Sequence, residues 1–284
     1  MNTEKNKEKW VEKIRQTLEI GGRSKRTYDN YKSHLIRFLN YYDENINIRK
    51  LDENDILDYI KINYINTGLS GETYNMAIKS ISFFYSVCFD KNLRKHLLPN
   101  HKLRKRLPNI IKKNEFINIF NNEHNLKHRC WLLLAFCSGL RVEEVASLKI
   151  ENINSKEHKL KVLGKGNKER YTILPDITIK FLRMYCKEKN ITRKSGYLFV
   201  GTDNHEVVNC KTIINYFTNI KKKYGLDNNL TFHCLRHSFA SYYLANGGNL
   251  LTLQSMLGHK SLNSTIIYLH LSQNFNHLEG IRYV

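Results

Sequence analysis

Four short blocks in the second half of the chain carry side chains suited to acid–base and nucleophilic chemistry on an anion. They are Ser138-Gly-Leu-Arg141-Val-Glu-Glu144, Gly164-Lys165-Gly-Asn-Lys168-Glu-Arg170, His233-Cys-Leu-Arg236-His237, and Leu257-Gly-His259 with Tyr268 nine residues on. A phenol oxygen is a nucleophile once its proton has somewhere to go. Two arginines can grip an anion's oxygens as rigid planar forks. Histidines titrate near neutrality and pass protons in either direction. Each block also has a bland reading. A lone arginine at a helix start usually makes a surface contact, and Gly-Lys-Gly is a common hairpin tip. His233 and Arg236, one turn apart, suit a helix cap. The chain holds 17 tyrosines, and most tyrosines pack into cores; Tyr242, Tyr243 and Tyr283 read as core or surface.

A metal is not expected. His233 and His237 stand at i,i+4, a spacing that suits zinc, but the residues between them are Cys-Leu-Arg, without the Glu of a zincin helix. A guanidinium between two ligands would also repel the ion. No acidic cluster points to magnesium. The six cysteines are scattered without a Cys-x-x-Cys pair and read as reduced core residues.

Charge sets the partner class. The 284 residues carry 46 Lys/Arg against 26 Asp/Glu, a net +20. That excess argues for a polyanion. It is spread along the chain: residues 1–106 hold 21 basic and 13 acidic residues, and the rest hold 25 and 13. Both halves are therefore expected to face the polyanion. No signal peptide and no apolar run of membrane-spanning length is visible, so a cytoplasmic protein is expected, with no membrane partner.

The elements that must position the four blocks follow from periodicity. Residues 1–99 read as about four helices with no strand signal: one over 5–18, one capped by Ser24, one started by Leu51–Asp55 and one started at Ser70-Gly71. Residues 100–112 are basic and contain Pro108, which predicts a linker. Residues 113–284 read as mixed. Two helices meet near Ser138-Gly139, and the alternating runs 158–163 and 169–174 around a Gly-rich turn predict a β-hairpin. Helices are expected over 176–189, 211–223, 233–246 and 250–257. The fold class is mainly α with a small β-hairpin, in two domains.

In this order and spacing, across residues 138–268, the four blocks resemble the tyrosine recombinase (phage integrase) family. Gly-Lys-Gly-Asn-Lys-Glu-Arg is closest in style to its Xer recombinases and simple integrases. The resemblance implies a helical, SAM-like core-binding domain over 1–99 and a catalytic domain over 113–284, together forming a two-domain DNA clamp. It implies site-specific cutting and rejoining of double-stranded DNA through a 3′-phosphotyrosine and a Holliday junction, with no cofactor. Tyr268 would be the nucleophile, and Arg141 and Arg236 the phosphate clamp. Lys165 would be the general acid for the leaving 5′-hydroxyl. His233 and His259 would bind phosphate and move protons, with Glu144 orienting Arg141 or a histidine. Lys168, Arg170, Arg104, Lys105 and Arg106 are expected to contact DNA phosphates.

The family further implies a homotetramer on DNA, a monomer or dimer when free, and a location at the nucleoid. Residues 272–284 would be the segment passed between neighbours or packed in cis. Two rival readings keep the fold and change the activity: a DNA-binding protein that has lost catalysis, and a type IB-like topoisomerase. The complete set of blocks favours the recombinase over the first. The hairpin block and the small helical first domain favour it over the second.

Overall fold

The computed structural model describes residues 4–103, 107–164, 168–201 and 207–273. The chain divides into two compact units, Met1–Lys105 and Arg106–Val284.

In the first unit the described elements are α1 (Glu4–Ile20), α2 (Lys25–Tyr41), a 3-10 turn over Ile48–Lys50, α3 (Glu53–Ile60), a π-turn over Lys61–Ile65, and α4 (Gly71–Phe89). The helix starts expected at Ser24, Leu51–Asp55 and Ser70-Gly71 each have a cap. The side chain of Ser24 accepts from the Thr27 amide, Asp52 from those of Asn54 and Asp55, and Ser70 from that of Thr73. These caps satisfy amides that have no partner inside the helix. The apolar stripes of α1, α2 and α4 meet at Ile14, Phe38, Ile81 and Phe84, all fully buried. Each such side chain stabilises the unit by about 1.5–3 kcal/mol through burial. The edge-to-face rings of Phe38, Tyr59, Phe84 and Tyr85 make the core aromatic.

The second unit is built around two buried helices. Residues 131–136 of α6 (Leu126–Ser138) are buried on every side, the mark of a central helix rather than an amphipathic one. α6 packs against α8 (Asp176–Glu188) and α10 (Phe232–Ala245), and α10 against α12 (Asn263–Gln273). Around them lie α5 (Lys113–Asn121), α7 (Val142–Ala146), α9 (Cys210–Lys223) and α11 (Leu250–Leu257).

An antiparallel sheet of β1 (Ile153–Asn154), β2 (Lys159–Leu163) and β3 (Glu169–Ile173) completes the unit, in the order β1-β2-β3. The expected hairpin is present, with Val162 opposite Arg170 and Leu160 opposite Thr172. β1 and α12 are among the elements that go beyond the sequence reading. β1 is two residues long, too short to show alternation. α12 has apolar residues on several faces and so lacks a clean stripe. The structure is mainly helical with a small sheet, as the sequence implied.

The inward face of β3 is unusual. Arg170 and Thr172 point inward, while Tyr171 is 56% exposed. The Thr172 hydroxyl donates to the carbonyl of Ser138 at the end of α6. This face therefore grips helix ends through polar groups as well as packing against them.

Candidate active site

Arg141 begins α7. Gly139 ends α6 in the left-handed region at φ 68°, where a Cβ would stand 2.5 Å from the Phe239 ring. Only glycine turns the chain there while α10 lies so close. Glu144, one turn into α7, accepts the Arg141 amide at 2.8 Å and its guanidinium at 3.0 Å. The Arg141 side chain is 34% exposed, so the guanidinium is oriented from beneath and open to a ligand above.

Glu144 is the hub of the site. Besides Arg141 it accepts two hydrogen bonds from Arg170, and Arg236 stands 3.6 Å away. Burial alone would raise its pKa. The hydrogen bonds and charge of Arg170, the Arg141 amide and the charge of Arg236 outweigh that and hold the carboxyl at about 2. Three guanidiniums against one carboxylate leave two positive charges, which suits the site to an anion.

Arg236 lies inside α10 and is 1% exposed. Its two terminal nitrogens donate to the carbonyls of Gly139 and Leu257, each at 2.6 Å. Those carbonyls are at the ends of α6 and α11, the negative poles of two helix dipoles. Burial and then the charge of Arg141 lower the Arg236 pKa to about 9, still protonated at neutral pH, and Glu144 opposes them.

The expectation for Arg170 is corrected. It does not stand on the surface as a phosphate contact would. It is 8% exposed, fully engaged by Glu144, and its Nε donates to the carbonyl of Met256. Gly258 ends α11 at φ 66°, and a Cβ there would stand 2.9 Å from the Arg170 side chain.

The fourth block joins these. The Nδ1 of His259, just past α11, shares a hydrogen bond with the Thr265 hydroxyl at 2.9 Å. Its ring lies nearly parallel to that of Tyr268, with centroids 6.2 Å apart. Tyr268, on α12, is 2% exposed. Its hydroxyl shares a 2.8 Å hydrogen bond with Nδ1 of His237. Burial raises the Tyr268 pKa, and the charges of Arg236 and Arg141 pull against it. The ring of His237 meets that of His233 edge-on at 4.6 Å.

All three histidines are shifted toward the neutral form. Withdrawal from water comes first in each case. For His233 and His259 the charges of Arg236 and Arg141 add to it; for His237 the additions are His233, Arg236 and His259. His259 is lowered to about 4 and His237 to about 3.

The structure thus gathers Arg141, Glu144, His233, Arg236, His259 and Tyr268 through these contacts. Lys168 is exposed, and its carbonyl accepts the Gly164 amide at the hairpin's end. Lys165, Arg104, Lys105, Arg106 and Tyr283 lie outside the described residues, as does most of the 272–284 segment. Tyr242 is buried as core. Sequence reasoning passed over two members of the site. His237 had a signal, its i,i+4 spacing from His233, but that spacing was weighed only for a metal. Thr265 had none.

Comparison with known proteins agrees with this architecture. Residues 109–274 match the Phage integrase family, and residues 10–95 match the phage integrase N-terminal SAM-like domain. The tyrosine recombinase XerA of Pyrococcus horikoshii is 33% identical over 264 residues, covering 91% of this chain and 87% of that protein. A tyrosine recombinase of Thermosipho africanus is 26% identical over 265 residues, covering 88% and 90%. Among solved structures, a lambda integrase (75–356) dimer bound to a COC′ core site superposes with a TM-score of 0.73 at 18% identity, covering 97% of this chain and 98% of that one. The XerH recombinase in its post-cleavage complex with palindromic difH substrate gives 0.71 at 21% identity, covering 87% and 77%. With a family match over more than half its length, this chain belongs to the phage integrase family of tyrosine recombinases, in its Xer-like branch.

Proposed function

We propose that the chain cuts and rejoins double-stranded DNA at a specific site through Tyr268. The observation that carries this reading is the convergence of Arg141 and Arg236 on Glu144, with Tyr268 within electrostatic reach of both arginines. The Tyr268 oxygen attacks the scissile phosphorus, and the bond to the 5′ oxygen breaks. A 3′-phosphotyrosine and a free 5′-hydroxyl result. One phosphodiester replaces another, so ATP is not consumed.

Arg141 and Arg236 hold the non-bridging oxygens, and their fixed charge takes the place of a metal ion on the pentavalent transition state. Lys165 gives its proton to the leaving oxygen. His233 and His259 bind the phosphate and move the phenol's proton, which their neutral imidazoles can accept. Glu144 orients the two arginines. Lys168, Arg104, Lys105 and Arg106 bind DNA phosphates. Residues 1–99 form a second DNA-binding domain and residues 113–284 the catalytic one. Four copies act on two sites through a Holliday junction, at the nucleoid. The structurally similar XerH and lambda integrase, solved bound to DNA, support DNA as the partner.

Trapping on nicked suicide substrates tests the reading. A covalent protein–DNA adduct that survives EDTA and is absent from Tyr268→Phe is expected. An adduct formed by Tyr268→Phe would reassign the nucleophile. Site-specific binding with no adduct at any bound site would leave a DNA-binding protein. Relaxation of plasmid by single monomers without a defined site would indicate the topoisomerase reading.

A further inference from the structure

We infer that His237 is a positioning residue for strand cleavage, holding the Tyr268 hydroxyl at a fixed distance from the arginine clamp. The inference rests on the assignment of Tyr268 as nucleophile. Its starting point is the 2.8 Å hydrogen bond between His237 Nδ1 and the Tyr268 oxygen.

Three further observations give that bond a purpose. His237 follows Arg236 directly on α10, so the side chain that sets the clamp and the one that sets the phenol are consecutive on one helix. The helix's own geometry then fixes how far apart a gripped phosphate and the attacking oxygen stand. Next, no other described side chain does this for the hydroxyl. His259 has spent its Nδ1 on Thr265 and meets Tyr268 ring to ring. Finally, His237 is neutral, because it is half-buried beside His233, Arg236 and His259. A neutral imidazole shares a hydrogen bond with a neutral phenol and adds no charge to the site. Without it the Tyr268 ring turns about its side-chain bonds, and fewer conformers point the oxygen at phosphorus.

Single-turnover cleavage of a suicide substrate, with DNA affinity and thermal melting measured on the same samples, tests this. His237→Ala is expected to slow cleavage by about 10- to 100-fold, on the scale of a misplaced reacting group, with DNA affinity unchanged. His237→Asn puts an amide where Nδ1 stood and is expected to recover most of the rate. His237→Gln puts the amide at the position of Nε2 and is expected to stay slow; it carries the test if the Ala variant does not fold. Cleavage by His237→Ala at or above the wild-type rate overturns the inference. So does an Asn variant as slow as the Ala or Gln variant, since the imidazole would then be needed as a proton carrier. A wild type that forms no Tyr268-dependent adduct overturns the strand-transfer reading itself, a result visible before any His237 variant is compared.

Discussion

Arg170 and Glu144 face each other fork to fork, each terminal guanidinium nitrogen 2.8 Å from a different carboxylate oxygen, with 7% of either side chain exposed. One partner comes from the hairpin and the other from α7, so the pair ties the sheet to the arginine clamp. Removing one side of a buried pair strands the other charge, at about 3–5 kcal/mol. Arg170→Ala is therefore expected to lower the unfolding free energy by that order and to impair cleavage. Arg170→Lys should recover only part, because an ammonium cannot pair with both oxygens. Urea titration measures the stability. The salt dependence of DNA binding should keep its slope, since the residue meets no phosphate; a shallower slope would return Arg170 to the surface.

Acid should weaken the second unit first through histidines. His259 and His237 fall from 6.5 to about 4 and about 3 in the folded chain. Above pH 6.5 both states are neutral there and nothing is gained or lost. Below it the unfolded chain takes up protons that the folded chain refuses. Stability is thus present above 6.5 and is lost as pH falls toward 4 and then 3, by at most about 1.4 kcal/mol per pH unit for each residue. Melting temperatures from pH 7 to 4 should decline, and the decline should be shallower in His259→Asn.

Glu144 adds a lower window. Its carboxyl falls from 4.5 to about 2 on folding. Its stabilisation is complete above 4.5 and disappears as pH drops toward 2, on the order of 3 kcal/mol in total. Glu144→Gln should remove this dependence and leave the protein less stable at pH 7, with three guanidiniums around a neutral amide. Denaturation at pH 5, 4 and 3 measures both effects.

The helical first unit was legible because its signals are local. Ser24, Asp52 and Ser70 each announce a helix within three residues. The candidate site was legible in its order, since the four blocks carry chemically distinctive side chains. Its contacts were not. Strand alternation gives Arg170 a side of the sheet but cannot say that a carboxylate 26 residues earlier waits there. Helix spacing puts His237 beside His233 but cannot say that a phenol 31 residues later meets it. Such pairings belong to tertiary packing and leave no short-range pattern. α12 was missed for a related reason: its surroundings, rather than its own periodicity, decide which faces are buried.

Gly258 offers a fourth measurement. A side chain there would meet both a left-handed backbone and the Arg170 stem. Gly258→Ala is expected to cost about 1–3 kcal/mol and to slow cleavage by shifting the adjacent His259. Gly247→Ala is the matched control, with φ 80° and open space around its Cβ. It should show the backbone cost alone and keep the cleavage rate. Equal losses of rate in both would remove Arg170 contact as the cause.

The grip of Arg236 on two helix ends also bears on how the protein comes into being. Its carbonyl partners, Gly139 and Leu257, lie 97 and 21 residues before and after it in the chain. The two holds exist together only once α6, α10 and α11 have all docked. A half-made chain leaving the ribosome therefore owns the arginine but not its aim. The clamp's aim would therefore arrive only with the finished fold, and no fragment of the chain would present both arginines to an anion.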